Sequence, residues 1–478
     1  MRRILLLIMV MTLVFGAVPG GAAFAQDERP LFTVAWAHLF GGEGDSLVKA
    51  AATSDGKIWL AGTASSESDK ARGGSDGWAL LLDGSGETLW SNRYGGSGDD
   101  SFIDVLPLAD GGAILLGQTT SYDGQVRNYR GGVDAWVVRV DVQGDMLWQK
   151  CLGGTLDDSL VAIRALSQAS VPGANTPDDC IVLAGWTMSY NNDLNTNKGG
   201  QDGWVCAIRM EDGRSIWHYR MGEAADDWYG ILLPDRSGVL AVGGTTRVDA
   251  QGNKRAVPIL TTIGFDGQEI STVRLQLKDD AWIYDAVQTS DGWMLAGKIG
   301  AENSDAWLGR VAAGGAFNAI YLDGNMNGAL SIIQQYPSNV TLAVGSLNSD
   351  GSALQGAHGG QDVWVVGMTR DKVEWQQALG GSGETSPIFV TRHSDGRYLI
   401  VSSTTAEDGD LTPRAESGVG WIVLLDINGN FLRQSVIAPY GDQRFTAAVA
   451  ANGGIVLVGE AVDEDGAWRA AVVKAGGS

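Results

Sequence analysis

An apolar strand that ends in a small residue recurs along the chain at nearly constant spacing. Eight residues mark the copies: Gly62, Gly117, Gly185, Gly243, Gly297, Gly345, Ser402 and Gly459. From Gly62 to Gly459 there are 397 residues in seven steps, or about 57 residues per step. A period of this length indicates one small structural unit repeated side by side, and it constrains the fold more than any other feature.

Tryptophans recur in phase with these markers. Seven of them fall in one repeat position and five in a second position that follows a short glycine turn: Trp78, Trp136, Trp204, Trp307, Trp364, Trp421 and Trp468, then Trp36, Trp90, Trp148, Trp217 and Trp375. An indole brings about 200 Å² of mostly apolar surface, which stabilises a packed interface by several kcal/mol when it is buried. These tryptophans are therefore predicted to hold repeats together, not to form a ligand platform.

Each unit contains four predicted strands. In the second copy they cover residues 101–108, 113–119, 134–141 and 146–154, here called strands a, b, c and d. Alternating apolar residues, β-branched side chains and Gly/Asp turns support this assignment, and no amphipathic helix of ten or more residues is found. A four-stranded antiparallel sheet repeated eight times predicts an all-β, eight-bladed β-propeller.

The two ends of the repeat region complement each other. Residues 32–42 form a strand d with no a, b or c before it, whereas the last copy has a, b and c without d. We therefore expect the first strand to complete the last blade, which would close the ring and remove its open edges. A seven-bladed ring and an open superhelix are the alternatives.

The N-terminus has the pattern of a secretory signal peptide. Arg2 and Arg3 precede an apolar run from Ile4 to Val18, and small residues lead to Ala25. The apolar run is shorter than the roughly 20 residues that cross a bilayer. We predict a signal peptide at 1–25 and a single propeller domain at 26–478, secreted to the periplasm or medium as a monomer without membrane insertion.

Charge and cysteine content narrow the classes of partner. The chain has 34 Lys and Arg against 56 Asp and Glu, a net charge of -22, which disfavours binding to nucleic acid and to anionic membranes. An extracellular protein or polysaccharide is the predicted partner. Cys151, Cys180 and Cys206 are interpreted as packing residues, with a Cys180–Cys206 bridge as the alternative.

Glycine-rich and acidic motifs follow strand d in several copies, for example "YGGSGDDS" from residue 94. A nucleotide-binding loop would need a following helix or a lysine, and neither is present. Glycine and aspartate are typical turn formers, so the motif is interpreted as structural and no cofactor is predicted. Calcium held by Asp99 and Asp100, or by Asp157 and Asp158, is the alternative. The four histidines show no metal-binding spacing, and no catalytic residue is predicted.

The repeat resembles that of secreted bacterial and archaeal propeller proteins, often grouped with the quinoprotein-like (PQQ-type) propellers. The segments Asp83-x-x-Gly86-x-x-x-Trp90 and Asp141-x-x-Gly144-x-x-x-Trp148 are similar to the tryptophan-docking motif of that group. The resemblance implies the propeller fold. It does not fix an activity, because such propellers include cofactor-dependent dehydrogenases and also proteins that bind other proteins.

The long b-to-c connections are predicted to lie on one face of the ring together with the d-to-a turns. Loops on a rigid frame are common binding sites, and two long loops on adjacent blades carry aromatic, amide and acidic residues. The candidate ligand-binding residues are Tyr122, Asp123, Tyr129, Trp186, Tyr190, Asn191, Asn192 and Asp193. The sequence thus predicts a non-catalytic scaffold that binds protein or glycan. An extracellular enzyme, either a polysaccharide hydrolase or lyase or a PQQ-dependent oxidoreductase relative, is the alternative.

Overall fold

The protein is described by a computed structural model. It covers residues 30–477 except 54, 66–72, 167–178, 195–196, 249–250, 301–303, 323–327, 336–339, 349–353, 371, 394 and 412–417. The predicted signal peptide at 1–25 lies outside these residues.

The described residues form eight four-stranded antiparallel sheets and contain no helix. In every sheet, strands that are adjacent in sequence are also adjacent in space, apart from the pairing that joins the two ends of the chain. The predicted all-β propeller with eight blades is therefore confirmed. Because the described ranges are without helices, they offer no helix that could span a membrane.

Blades 1 to 4 follow one another along the chain. Blade 1 contains β2 Ser46–Ala52, β3 Ile58–Ala64, β4 Asp76–Leu82 and β5 Thr88–Tyr94. Blade 2 contains β6 Asp100–Pro107, β7 Ala113–Thr119, β8 Asp134–Val140 and β9 Met146–Leu152. Blade 3 contains β10 Asp158–Leu166, β11 Cys180–Thr187, β12 Asp202–Arg209 and β13 Ser215–Met221. Blade 4 contains β14 Asp227–Asp235, β15 Gly238–Val248, β16 Lys254–Gly264 and β17 Glu269–Arg274.

The remaining blades repeat the same order. Blade 5 contains β18 Ala281–Thr289, β19 Gly292–Ile299, β20 Asp305–Ala312 and β21 Phe317–Leu322. Blade 6 contains β22 Gly328–Gln335, β23 Val340–Asn348, β24 Gln361–Thr369 and β25 Lys372–Leu379. Blade 7 contains β26 Thr385–Arg392, β27 Tyr398–Thr404, β28 Val419–Leu425 and β29 Phe431–Ile437. Blade 8 contains β30 Gln443–Ala451, β31 Gly454–Val462, β32 Trp468–Gly477 and β1 Phe32–Phe40.

The ring closes as predicted, because β1 is the fourth strand of blade 8. It pairs antiparallel with β32 from Phe32 opposite Gly477 to Phe40 opposite Ala470. The start of β1 is also fixed to blade 7, since the amide of Phe32 donates to Ser435 Oγ at 2.8 Å. The first described strand therefore joins the last two blades.

The repeated glycine of strand b is explained by a bulge in strand a. In blade 2 the register of β6 against β7 shifts between Phe102 and Asp104, next to Gly117. A Cβ at Gly117 would stand 1.7 Å from the carbonyl oxygen of Ser101. A side chain at Gly117 would therefore clash with the backbone, which explains the glycine in this blade. Blade 7 has the same bulge opposite Ser402, so a small residue is also accommodated at the marker position.

Six of the seven predicted strand-c tryptophans occupy one structural position, opposite the marker residue of strand b. Trp136, for example, pairs with Gly117 and is fully buried. Trp468 was wrongly assigned to this position. It pairs with Val462 and is 40% exposed, whereas Ala471 faces Gly459. The physical reason is the tight b-to-c turn of blade 8, in which the amide of Asp463 donates to the Ala467 carbonyl at 2.9 Å and so places Trp468 at the start of the strand.

The strand-d tryptophans join each blade to the next. The indole Nε1 of Trp90 donates to the carbonyl of Val142 in blade 2 at 3.0 Å. Its ring lies against Gly144, whose φ of 83° is in the left-handed region and where a Cβ would be 2.8 Å from the ring. Four further pairs share this arrangement: Trp36 with Gly86, Trp148 with Gly213, Trp217 with Gly267 and Trp375 with Gly429.

The three cysteines are buried free thiols. Cys180 pairs with Arg209 and Cys206 with Leu183, so the two are not opposite each other and the alternative of a bridge between them is wrong. Burial raises the pKa of the Cys151 thiol to about 12 and that of Cys180 to about 11. They act as packing residues, as predicted.

We expect Trp136→Ala to lower the free energy of unfolding by about 3 to 5 kcal/mol, because it removes a fully buried indole between two blades. Trp468→Ala is the matched control, and it should change stability by less than about 0.5 kcal/mol because the side chain is partly exposed outside that position. Urea unfolding followed by circular dichroism measures both. Equal losses in the two variants would contradict the distinction.

Candidate functional site

The ring has two unlike faces. The d-to-a turns and b-to-c loops form one face, here called the loop face, and the a-to-b and c-to-d hairpins form the other, here called the turn face. The eight predicted ligand-binding residues belong to blades 2 and 3. Seven are in the b-to-c loops, and Trp186 lies half-buried near the end of β11, at the loop-face end of that strand.

Two of the predicted residues are prominently exposed. Tyr122 in the blade 2 loop is 74% exposed and Tyr190 in the blade 3 loop is 58% exposed. Leu156 and Met188, which were not predicted, are also exposed here and lie near each other, since the amide of Met188 donates to the Asp157 carbonyl at 3.0 Å. The loop face of blades 2 and 3 thus presents four large apolar or aromatic side chains.

Leu156 had a recognisable signal in the sequence. The motif that reads Gly-Gly-Ser-Gly-Asp-Asp from Gly95 reads Gly-Gly-Thr-Leu-Asp-Asp from Gly153, so that leucine replaces a glycine. A departure from the repeat toward a larger, exposed apolar residue has no benefit for packing within the blade. Leu156 was not predicted because only the residues that the copies of the motif share were interpreted.

Most of the predicted polar residues are occupied within the protein. Asp123 Oδ1 accepts the amide of Ser97 at 2.7 Å, and Asn191 exchanges two hydrogen bonds of 3.1 Å with Thr155. These contacts fix each loop to the adjacent d-to-a turn. These side chains therefore form part of the frame of the surface.

The remaining predicted residues also have structural roles. Tyr129 is half-buried, its hydroxyl donates to the Gly132 carbonyl at 2.7 Å, and burial raises its pKa. Asn192 adopts a left-handed φ of 58°, as asparagine tolerates in tight turns. Asp193 forms an ion pair with Arg130 of the neighbouring blade.

Arg130 links the two loops of the candidate surface. Besides the ion pair with Asp193, its guanidinium donates to the Gly153 carbonyl at 2.9 Å. The b-to-c loop of blade 2, the following d-to-a turn and the b-to-c loop of blade 3 are therefore connected. The structure brings the two predicted loops together, but it does so through an arginine that the sequence reasoning missed.

The two aspartates of each pair after strand d have different structural roles. The first of each pair is exposed, and Asp99 Oδ1 accepts the Ser75 amide at 2.9 Å. The second is buried, and the carboxylate of Asp100 accepts the Gly96 amide at 2.8 Å and hydroxyls from Ser121 and Thr119. The structural interpretation of the motif agrees with these contacts.

A second buried carboxylate, that of Asp134, lies beside Asp158, the buried aspartate of the next pair. Asp134 Oδ1 and Asp158 Oδ2 each lie 2.5 Å from the point where a Cβ of Gly153 would stand, so the two oxygens are close together. Burial, followed by the nearby charge of Asp158, raises the pKa of Asp134 to about 7. In the described residues no group of three or more His, Cys, Asp or Glu is arranged to hold a metal ion. Calcium binding stays an untested prediction.

Three cavities open on the turn face, away from the predicted surface. Their volumes are about 560, 440 and 230 Å³, and they lie between blades 5 and 6, blades 7 and 8, and blades 4 and 5. The first two are bordered by charged side chains, including Arg310 and Arg392. The third is mainly apolar.

Comparison with known proteins finds distant structural similarity. No protein-family model matches the chain, and neither does any curated protein. A Synechocystis apocarotenoid oxygenase variant aligns over 85% of this chain and 96% of its own, with 11% identity and a TM-score of 0.42. A Dyadobacter fermentans protein of unknown function aligns over 94% and 100%, with 10% identity and a TM-score of 0.40. A putative 6-phosphogluconolactonase from Bacteroides fragilis aligns over 81% and 97%, with 12% identity and a TM-score of 0.35.

The raised pKa of Asp134 predicts a pH-dependent stability. Because the folded-state pKa of about 7 exceeds the ordinary 3.8, the stabilising contribution of this group is full below pH 4 and is lost as the pH rises to 7. Asp134→Asn cannot ionise, so it should be more stable than the parent by about 2 to 4 kcal/mol at pH 8 and nearly equal to it at pH 4.

Urea unfolding at the two pH values measures this difference. Asp157→Asn is the control, because Asp157 is exposed in the adjacent d-to-a turn and its substitution should have the same small effect at both pH values. A gain for Asp134→Asn that is the same at pH 4 and pH 8 would show that ionisation of this group is not involved.

Proposed function

We propose that the protein is a secreted, non-catalytic propeller scaffold that binds a partner through the loop face of blades 2 and 3. The observation that carries the proposal is the exposure there of Tyr122, Leu156, Met188 and Tyr190. Exposed large apolar side chains grouped on adjacent loops are unusual on a soluble surface, and they are typical of interaction sites.

A protein partner is better supported than a glycan. A sugar site needs several polar side chains that converge on the ligand, together with an aromatic ring. Here Asp123, Asn191 and Asp193 already bond to neighbouring loops. What remains is apolar and aromatic surface, which suits a protein segment with its own apolar side chains. Glycan binding is the second candidate.

The electrostatic character of the surface favours a basic partner. Asp99, Asp123 and Asp157 are exposed in loops and turns of the same face, and the whole chain has a net charge of -22. Complementary charge at the rim of an interface speeds association and excludes acidic competitors. We therefore propose a partner segment that combines apolar anchors with Lys or Arg.

The proposed similarity to quinoprotein-like propellers, beyond the propeller fold itself, rests on the docking tryptophans. Five indoles stack on left-handed glycines of the next blade, and two of these glycines, Gly86 and Gly144, lie in the segments that prompted the resemblance. This supports a common way of assembling blades and does not extend to a quinone cofactor. No observation in the described residues favours the enzyme alternative. A large thermal stabilisation by pyrroloquinoline quinone with calcium would favour the enzyme alternative over the non-catalytic scaffold.

The double variant Tyr122→Ala/Tyr190→Ala should weaken partner binding by at least about 30-fold, because truncating two exposed aromatic anchors removes about 2 kcal/mol or more. To identify the partner, Tyr122 or Tyr190 is replaced by a photoreactive analogue and crosslinked. The partner is then purified, and its affinity for each variant is measured by calorimetric titration. Leu147→Ala is the matched control, since Leu147 is also exposed in blade 2 but lies on strand β9.

Equal affinity in the double variant and the control would place the interface elsewhere. Titration of the same proteins with an oligosaccharide panel separates the two candidates. Saturable binding of a glycan that the double variant loses would replace the protein partner by a polysaccharide.

A further inference from the structure

The docking tryptophan is present in five of the eight blades. Strand pairing places other residues at the corresponding position in blades 4, 5 and 7, namely Ser271 opposite Thr262, Asn318 opposite Arg310 and Arg433 opposite Leu424. The three cavities of the turn face lie at these three junctions. Each cavity thus occupies space that an indole fills elsewhere in the ring.

At the junction of blades 4 and 5, blade 5 has a c-to-d turn like those that receive the indole in other blades, here called the receiving turn. Blade 4 has no docking tryptophan to place on it. Gly315 has a φ of 82°, and its amide donates to the Ala312 carbonyl at 2.8 Å. Gly144, which receives Trp90, has a φ of 83° and donates to the Asp141 carbonyl at 3.1 Å. The two turns are therefore equivalent in conformation.

The space above the receiving turn is open. A Cβ at Gly315 would meet only Val273, at 3.7 Å, whereas at Gly144 it would be 2.8 Å from the docked indole. The cavity measures about 230 Å³ and is bordered mainly by apolar groups of both blades, among them Leu240, Leu260, Val273, Trp293 and Val311. Because an apolar cavity of about 150 Å³ can bind benzene, this one has room for a bicyclic ring.

Polar groups at the cavity add specificity. In the occupied junctions the indole N–H donates to the carbonyl two or three residues before the glycine, as Trp90 does to Val142, and the counterpart here is the Ala313 carbonyl. Trp293, which is only 9% exposed, also borders the cavity and adds aromatic surface to its wall.

The other two junctions contain charged and polar groups where the docking indole would lie. Between blades 5 and 6, Arg370 stands in the receiving turn, and Arg310 forms an ion pair with Asp291 at the cavity wall. Between blades 7 and 8, Arg433 donates to the Pro30 carbonyl at 2.9 Å. Among the described residues, neither junction has a left-handed glycine in a c-to-d turn, and Gly453, which borders the cavity of blades 7 and 8, belongs to an a-to-b turn. The junction of blades 4 and 5 is the one that suits an aromatic ring.

We propose that the cavity between blades 4 and 5 binds an indole-sized heteroaromatic ring from outside the chain, which stacks on Gly315 in the position of the absent docking tryptophan. In this position the ring N–H donates to the Ala313 carbonyl. The site is on the turn face and is independent of the loop-face surface of blades 2 and 3.

The test is a titration of the full mature chain with indole and with N-acetyl-tryptophanamide, followed by ligand-observed NMR and intrinsic fluorescence. We expect saturable binding of indole with a dissociation constant in the millimolar range or tighter. If N-acetyl-tryptophanamide binds at least as well, the ring can come from a tryptophan of a partner chain, and if it does not, the ligand is a free small molecule. Both results support the site.

Ser271→Trp supplies the ring from the chain itself. It should raise the melting temperature and weaken indole binding at least tenfold, whereas Asn318→Trp, the same position in the next blade, should leave binding unchanged. If Ser271→Trp does not fold, Ser271→Phe is titrated in its place. Absence of saturable binding to the parent protein, or loss of binding in Asn318→Trp instead, would overturn the proposal.

Discussion

The pairing of β1 with β32 is the interaction on which the rest of the structure depends. Each blade buries its faces only against two neighbours, so an open ring would leave two sheets half-exposed and two edges unpaired. By completing blade 8, β1 pairs with the free edge of β32 and brings Trp36 to the turn of blade 1, where it docks like the tryptophans of the other junctions. The closing junction is thus held by strand pairing and by an indole together.

Within the closed ring, tryptophan and glycine act as paired elements. A glycine in strand b admits the bulge of strand a, and a glycine in the c-to-d turn provides a flat surface for the indole of the preceding blade. Buried aspartates fix the loop-face corners by accepting backbone amides and hydroxyls. The frame is therefore specified by a few positions in each repeat, which leaves the loops free to differ. This division explains why the candidate binding surface lies in loops that depart from the repeat.

Much of the fold could be predicted because the constraints repeat with the chain. The strand β7 was predicted at its observed limits, Ala113–Thr119, and the closing strand was identified from its missing partners. Trp468 was misplaced because spacing alone does not reveal that a tight turn shifts the register. The candidate surface was found only in part. Tyr122 and Tyr190 are exposed, but the internal bonds of Asn191 and Asp193 depend on contacts between blades, which one-dimensional spacing cannot give.

The ring closure has a consequence for the order in which the protein can be completed. The segment 32–40 is synthesised at least 430 residues before its pairing partners at 470–477. Until then this strand exposes a row of unsatisfied amides and carbonyls to any other strand nearby, including the same segment of a second chain. Final assembly is therefore a slow, long-range step that can begin only after residues 470–477 have emerged, and a chain that stops short of residue 470 cannot finish its eighth blade.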